Sequence, residues 1–354
     1  MLTSISIEGF KSIERIDHLS LHPINVLVGA NGSGKSNFID VFSLLRAVRE
    51  HTLDTYVERS GGADRILHFG SKVTRKLSIA VAFHGGGSFE VRLEVAEDDR
   101  LMATFGGAIG SIVMGRPGHT GFLEFTRDQL ERFRVYHFHD TSQTAPIKRT
   151  ADLHDNRYLR EDGSNLASFL YRLRQKEAAA YRMIVRTVRL VAPFFEDFVL
   201  EPQALNEDKI RLEWRHRGSD AYFDASSLSD GTLRFIALAT LLLQPTELQP
   251  HVILLDEPEL GLHPYAITLF GSLVRQCSLK RQVVVATQSP TLLDHFEPDE
   301  VLVADRVDGR TELKRLDRDR LVTWLEDYSL GQLWEKNEIG GRPAREALSK
   351  DTAG

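Results

Sequence analysis

The sequence predicts an α/β fold with mixed and parallel sheets. The first observation is an apolar run, Ile24–Val28, that leads through a glycine-rich loop into an amphipathic stretch at 38–45. The second is another apolar run, at 252–255, which is typical of a buried parallel strand. The third is the alternation of apolar and polar residues in segments 2–20 and 77–95, which predicts antiparallel hairpins.

The composition limits the class of protein. The chain has 354 residues and 42% hydrophobic content, enough for one large domain or two modest ones. Its net charge is −6, so a nucleic-acid contact would need a local basic face. The single cysteine, Cys277, excludes a disulfide framework and predicts a reducing cytoplasm. No apolar run approaches the length of a membrane span, so we expect a cytoplasmic protein without a membrane contact.

The glycine-rich loop has the spacing of a phosphate-binding P-loop. Its sequence at 29–36 is GANGSGKS, placed between a strand and a helix. Glycines let successive backbone N–H groups turn onto phosphate oxygens, and the helix N-terminus adds its positive end. Lys35 is predicted to reach the β- and γ-phosphates, and the Ser36 hydroxyl to bind Mg²⁺. The predicted nucleotide contacts of this segment are Gly29, Asn31, Gly32, Ser33, Gly34, Lys35, Ser36 and Asn37.

The apolar run at 252–255 ends in two carboxylates. The carboxyl end of such a strand is where an open α/β sheet places its ligands. Asp256 is predicted to hold Mg²⁺ through water, and Glu257 to polarise the attacking water. Upstream, LSDG at 228–231 precedes an apolar helical stretch. Ser229 and Gly231 at that helix start predict either a simple helix cap or an anion site.

Taken in order, the motifs resemble those of ABC-type ATPases. They are GFKS at 9–12, GANGSGKSN at 29–37, LSDGTLR at 228–234, DEPELGLHP at 256–264 and ATQSPTLLDHF at 286–296. Together they resemble the SMC/RecF branch, and within it the compact bacterial ATPases related to the OLD and RecF families. The resemblance covers most of the chain.

The resemblance implies a P-loop NTPase fold, an ABC-type ATPase head with an inserted helical segment, that uses ATP and Mg²⁺. It implies that Ser229 and Gly231 bind the γ-phosphate held by the other protomer, which makes the active unit a homodimer that sandwiches ATP. It adds Lys11 and Ser12 to the nucleotide contacts. Gln288 stands where transporter ATPases have a histidine. It cannot carry a proton as histidine can, which predicts slow turnover or turnover that waits on a partner. The predicted catalytic residues are Lys35, Glu257 and Gln288.

The predicted organisation has four parts. They are an N-terminal ATPase lobe at 1–126, a basic helical insert at 127–197, a C-terminal lobe at 198–342 and a frayed tail at 343–354. The arginine-rich region 127–190 predicts either a solvated helical face or a surface for DNA, RNA or an acidic partner. His137 and His139 indicate either a metal site or histidines packed near the nucleotide lobe. The second interpretation is favoured because no third ligand stands out.

Three functions are compatible with these motifs. The first is a switch ATPase that controls a separate nuclease-like effector in bacterial anti-phage defence, as stand-alone OLD/RecF-like ATPases suggest. The second is a RecF-like repair ATPase that binds DNA through the basic region. The third is a transporter ATPase subunit, which the motif details disfavour. The chain has no heptad pattern, so we expect a head without coiled-coil arms.

Overall fold

The computed structural model describes residues 1–96, 100–109, 112–114 and 133–341. The predicted tail at 343–354 and the start of the predicted insert, 127–132, lie outside those residues. By internal contacts the chain divides into two compact units, Met1–Phe133 with Ala286–Gly354, and Arg134–Val285. The four-part division stays a prediction.

The first unit contains an antiparallel sheet of six strands in the order β2-β1-β4-β5-β6-β7. The strands are β1 Leu2–Phe10, β2 Ile13–Ser20, β4 Lys76–Phe83, β5 Gly87–Val95, β6 Leu101–Ile109 and β7 Ile112–Met114. Apolar side chains alternate into the core along β1 and β4, as period-two patterning requires. The two predicted hairpins, β1–β2 and β4–β5, are confirmed by their antiparallel pairing.

The same unit holds the strand that leads into the phosphate loop. This strand, β3 (Ile24–Val28), pairs in parallel with β17 (Val301–Val307), which pairs antiparallel with β18 (Arg310–Arg315). All five residues of β3 are buried. The helices of this unit are α1 Lys35–Arg49, α2 Leu53–Arg59, α3 Ala63–Ile66, α8 Pro290–Leu293, α9 Arg318–Asp327 and α10 Leu330–Glu335. The apolar face of α1 is buried in the core.

The second unit combines helices with short strands. Its helices are α4 Leu166–Lys176, α5 Ala178–Val191, α6 Asp230–Leu243 and α7 Pro264–Ser278. Its strands are β9 Ala151–Asp152, β10 Phe195–Val199, β11 Pro202–Gln203, β12 Asn206–Ile210, β13 Glu213–His216, β14 Tyr222–Asp224 and β15 Val252–Asp256. Two further strands, β8 Phe133–Tyr136 and β16 Gln282–Thr287, have most of their residues in this unit. Helix α6 is apolar almost all round, and accordingly it is buried and packs against α5 and α7.

Among the helices in the described ranges, none combines the length and apolar character that crossing a bilayer requires.

Candidate functional site

Apart from Gln288, the predicted site residues fall into two groups, one in each unit. The first group surrounds the phosphate loop between β3 and α1. Gly34 has φ 103°, and a Cβ on it would overlap the side chain of Thr311, so only glycine fits there. Gly32 has φ 78° and faces open space, while the neighbouring Ser33 is buried and its hydroxyl has no hydrogen-bond partner among the residues that the structure describes. The loop is therefore closed on one side and open on the other.

The N-terminus of α1 is left without a side-chain cap. Gly34 supplies none, and no acidic residue occupies the first turn. The backbone N–H groups of such a first turn lack acceptors within the helix and carry its positive end. Lys35 is buried, and its Nζ donates to the carbonyls of Gly29 at 2.7 Å and Ala30 at 2.9 Å. Ser36 is exposed. The uncapped amides of α1 and the Lys35 ammonium can bind a phosphate, and the exposed Ser36 hydroxyl can bind a hard cation.

A chain of hydrogen bonds anchors the loop from behind. Thr311 on β18 is buried, and its Oγ1 donates to the Ser33 carbonyl at 2.9 Å. Ser12 Oγ lies 2.6 Å from Thr311 Oγ1, so the Ser12 hydroxyl is the donor of that bond. Asn37 Nδ2 donates to Ser12 Oγ at 2.6 Å. The turn between β1 and β2, the first turn of α1 and β18 are thus joined at the loop.

Lys11 lies in the same turn and has an uncommon backbone conformation. Its φ is 48°, and its carbonyl lies 2.7 Å from Nδ1 of the buried His68. Its Nζ pairs with Asp40 of α1 at 2.6 Å. The positive charge of Lys11 is therefore held beside α1, and its contact with a nucleotide stays a prediction.

The second group of predicted residues begins at the end of β15. Asp256 and Glu257 are half-buried there, and Glu257 has φ 42°. A positive φ is uncommon for glutamate, and such strained residues cluster at functional sites. The carbonyl of Asp256 lies 2.5 Å from Nε2 of His139. His139 is therefore hydrogen-bonded to the end of the carboxylate strand, and its ring centroid lies 6.2 Å from that of His137. The described part of the chain holds no group of three histidine, cysteine or acidic residues suited to a metal.

The LSDG segment forms the start of α6. Ser229 is exposed and caps the helix, since its Oγ accepts from the Thr232 N–H at 3.2 Å. A Cβ on Gly231 would overlap the carbonyl of Gly261 in the segment after Glu257. Glycine is therefore required at 231 by packing within this unit, whatever else binds there.

Arg234 of the same helix links three segments of the second unit. Its guanidinium donates to the carbonyls of Phe138 at 2.9 Å and His139 at 3.0 Å, and also to that of Leu260. Burial lowers its pKa from the ordinary value. One side chain thus connects the start of α6 with the segment at Phe138–His139 and with the segment after Glu257. The only sequence signal for it was a charge inside an apolar helix.

Gln288 lies in the first unit, directly after β16. It is half-buried and precedes Ser289, whose Oγ caps α8 by accepting from the Leu292 N–H at 3.1 Å. The segment is therefore tied down locally. The role of Gln288 stays a prediction.

The sequence matches a known family over residues 24–100 and 124–294, well over half of the chain. Its description is "AAA domain, putative AbiEii toxin, Type IV TA system". This protein belongs to that family. It is also similar to the DNA replication and repair protein RecF of three Acinetobacter baumannii strains, with 32% identity over 81 residues. That match covers 22% of this chain, and the chain spans only 22% of the length of each RecF.

Solved structures of SMC heads share the fold. An Smc head bound to the C-terminal winged-helix domain of ScpA has a TM-score of 0.65 and 17% identity, covering 91% of this chain and 99% of that one. An Smc head from Pyrococcus furiosus, bound to the C-terminal domain of ScpA, has a TM-score of 0.62 and 15% identity, covering 92% and 98%. These comparisons confirm the predicted fold, an ABC-type ATPase head of the SMC/RecF branch.

We expect Thr311→Val to destabilise the protein by about 1–3 kcal/mol, because the buried Ser33 carbonyl loses its donor. The phosphate loop loses its anchor as well, so ATP affinity should fall. Urea denaturation and isothermal titration measure the two effects. Thr311→Ser keeps the hydroxyl and serves as the control, which should retain the affinity. Wild-type behaviour of Thr311→Val in both measurements would contradict the anchoring role.

Proposed function

We propose that this protein is a Mg²⁺-dependent ATPase that acts as a conformational switch. It binds ATP, hydrolyses it slowly and controls a partner through the nucleotide-bound state. The observation that carries the proposal is the phosphate loop, where an uncapped helix N-terminus, a buried lysine and an open glycine backbone meet. The family and the SMC-head fold support nucleotide binding at this loop.

The proposed roles follow from the chemistry of each side chain. Lys35 and the loop amides hold the phosphates, while Ser36 and Asp256 hold the Mg²⁺ that neutralises phosphate charge. Glu257 accepts a proton from the attacking water, and Gln288 orients that water by hydrogen bonding.

Lys35→Ala should weaken ATP binding by about 100-fold or more. It removes the ammonium from the loop, and each hydrogen bond to a charged group contributes about 1.5–3 kcal/mol. Isothermal titration measures the affinity. Lys280→Ala, at an exposed lysine of the other unit, is the matched control and should bind ATP normally. Wild-type affinity in Lys35→Ala would remove the P-loop assignment.

We further propose that two protomers pair head to tail around ATP. Ser229 supports this because it is exposed at the start of a 14-residue helix, where the helix N-terminus can bind the phosphate of a nucleotide on another protomer. ATP would then stabilise the dimer by binding that state preferentially.

Glu257→Gln should retain ATP and form a more stable ATP-dependent dimer, because the amide cannot accept the proton of the attacking water. Size-exclusion chromatography with light scattering, with and without ATP and Mg²⁺, measures the dimer, and phosphate release measures turnover.

The double variant Ser229→Arg/Glu257→Gln is the control for that experiment. The arginine places bulk at the proposed interface, so the protein should bind ATP and stay monomeric. Gly231 is unsuitable for this purpose because any side chain there would overlap Gly261 within one protomer. A Glu257→Gln protein that is monomeric with ATP would contradict the sandwich dimer.

We propose that the switch controls a separate nuclease-like effector in anti-phage defence. The family description, which names an AbiEii toxin and a type IV toxin–antitoxin system, supports a defence role. The SMC heads bound to ScpA support the use of a protein partner. Affinity capture from the native host, with Glu257→Gln as ATP-trapped bait and Lys35→Ala as control, tests this proposal. A nuclease held only by the first bait is the expected result, and equal capture by both baits would oppose ATP control.

DNA binding is the second candidate function, and it is supported by the likeness to RecF and by part of the basic region. Arg182 and Arg186 are exposed one turn apart on α5. Other arginines of the region serve the fold. Arg172 donates to the carbonyls of Asn156 and Arg157, and Arg174 donates to that of Leu200. The surface available for DNA is therefore smaller than the sequence predicts.

Replacing both Arg182 and Arg186 by glutamine should weaken duplex DNA binding and reduce its salt slope by about 1–2, because each phosphate contact releases roughly one counterion. Fluorescence anisotropy at several salt concentrations measures the slope. Replacing the exposed Arg215 and Arg217 by glutamine changes the net charge equally and is the control. No DNA binding by wild-type protein at low salt, with or without ATP, would reject this candidate.

A further inference from the structure

Helix α5 carries apolar side chains on its solvent-facing side. Met183 is 47% exposed and Leu190 is 51% exposed, although both side chains would gain free energy from burial. They are seven residues apart, so they lie on one line along the helix, two turns and about 10 Å from each other. The opposite side of α5 is buried through Ile184 and Val188. The helix is therefore apolar on its outer face as well as on its core face.

Phe194 adds an aromatic side chain at the end of this line. It lies four residues after Leu190, in a tight turn where the Phe195 N–H donates to the Ala192 carbonyl at 2.9 Å. Its side chain is 40% exposed, yet its ring is held by neighbours. It stacks on His216, with 5.8 Å between ring centroids, and meets Trp214 edge-on at 5.5 Å. An exposed ring that is already fixed loses little rotamer entropy on binding, as anchor residues of protein interfaces require.

Two arginines flank the apolar line on one side. Arg182 and Arg186 are exposed, at about 100° and 60° around the helix from Met183. Neither guanidinium has a hydrogen bond or an ion pair with any residue that the structure describes. Helix α5 contains no aspartate or glutamate, although the chain as a whole has a net charge of −6. Its positive charge is therefore not neutralised within the helix and can attract an acidic partner.

The α5 surface, which consists of these two arginines with Met183, Leu190 and Phe194, distinguishes between classes of partner. DNA would bind the arginines through its phosphates but would leave the apolar line uncovered. A second copy of this chain, paired through the same surface about a two-fold axis, would bring like charges together. An acidic amphipathic helix matches both features, because its apolar side chains can cover the line while its carboxylates face the arginines.

We propose that the α5 surface is the docking site of a partner protein and that the docking element is an acidic amphipathic helix. The inference rests on the proposed control of a protein partner, and it identifies the surface that such a partner recognises. The apolar line and Phe194 supply the buried contact. The two arginines supply charge specificity and fix the direction in which the partner helix lies.

A synthetic peptide tests this recognition on the purified protein. The probe is a fluorescein-labelled helix of about 18 residues, with leucines at helical spacing and with glutamate and alanine elsewhere. A matched peptide has lysine in place of every glutamate. Fluorescence anisotropy should show binding of the glutamate peptide and none of the lysine peptide. Met183→Gln/Leu190→Gln should weaken binding about tenfold or more, because the apolar contact is lost. Arg182→Gln/Arg186→Gln should weaken it about fivefold, as two exposed ion pairs predict.

The control variant is Leu205→Gln/Leu279→Gln, which removes two exposed leucines elsewhere in the second unit and should bind the glutamate peptide normally. Circular dichroism verifies that each variant is folded. Equal binding of the two peptides, or unchanged affinity in Met183→Gln/Leu190→Gln, would overturn the docking site. Tight binding of duplex DNA that only the arginine replacements abolish, with no binding of the glutamate peptide, would assign this face to DNA instead.

Affinity capture separates the failure of this inference from the failure of the function on which it rests. A Glu257→Gln bait that also carries Met183→Gln/Leu190→Gln should lose the effector that Glu257→Gln alone retains. An effector held equally by both baits would overturn the docking site and leave ATP control of a partner intact. The absence of an effector on either bait would oppose both proposals.

Discussion

The uncapped N-terminus of α1 is the constraint on which the first unit depends. In many helices a capping side chain accepts hydrogen bonds from the first backbone amides. This helix instead begins after Gly34, whose φ of 103° is a conformation that residues with a side chain rarely adopt. The positive end of the helix is therefore accessible to an anion, and the loop before it needs hydrogen bonds from other parts of the chain. That support is Thr311, which lies 278 residues after Ser33 in the chain and fills the space that a Cβ at 34 would need.

In the second unit, a buried arginine supplies hydrogen bonds to loop segments in a similar way. The segments near His139 and Glu257 contain backbone carbonyls that are shielded from water and therefore need hydrogen-bond donors within the protein. Arg234 supplies three bonds from one guanidinium, to Phe138, His139 and Leu260. His139 in turn meets the carbonyl of Asp256. Glu257 has a strained backbone with φ 42°. Hydrogen bonds hold the backbone before it, at Asp256, and after it, at Leu260.

The sequence was sufficient to predict the features that depend on local pattern. The apolar run before the phosphate loop, the alternating hairpins and the apolar helix α6 each follow from the local hydrophobic pattern, and the structure contains all of them. The sequence did not indicate Thr311, because its importance comes from a tertiary neighbour: it is an ordinary strand residue until it meets Ser33. In the basic region too, an arginine that looks solvated in sequence can have a tertiary role, since Arg172 donates to the carbonyls of Asn156 and Arg157.

The two interpretations of Ser229, a helix cap and an anion site, are compatible once its hydroxyl is considered atom by atom. A serine hydroxyl has one donor and two acceptor positions. Capping uses one acceptor position, for the Thr232 N–H, and the Thr232 hydroxyl at 2.8 Å can donate to the other. The Ser229 proton then remains available to an anion at the positive end of α6. The cap fixes the orientation of the hydroxyl oxygen, and that fixed orientation is what a phosphate of a second protomer would require.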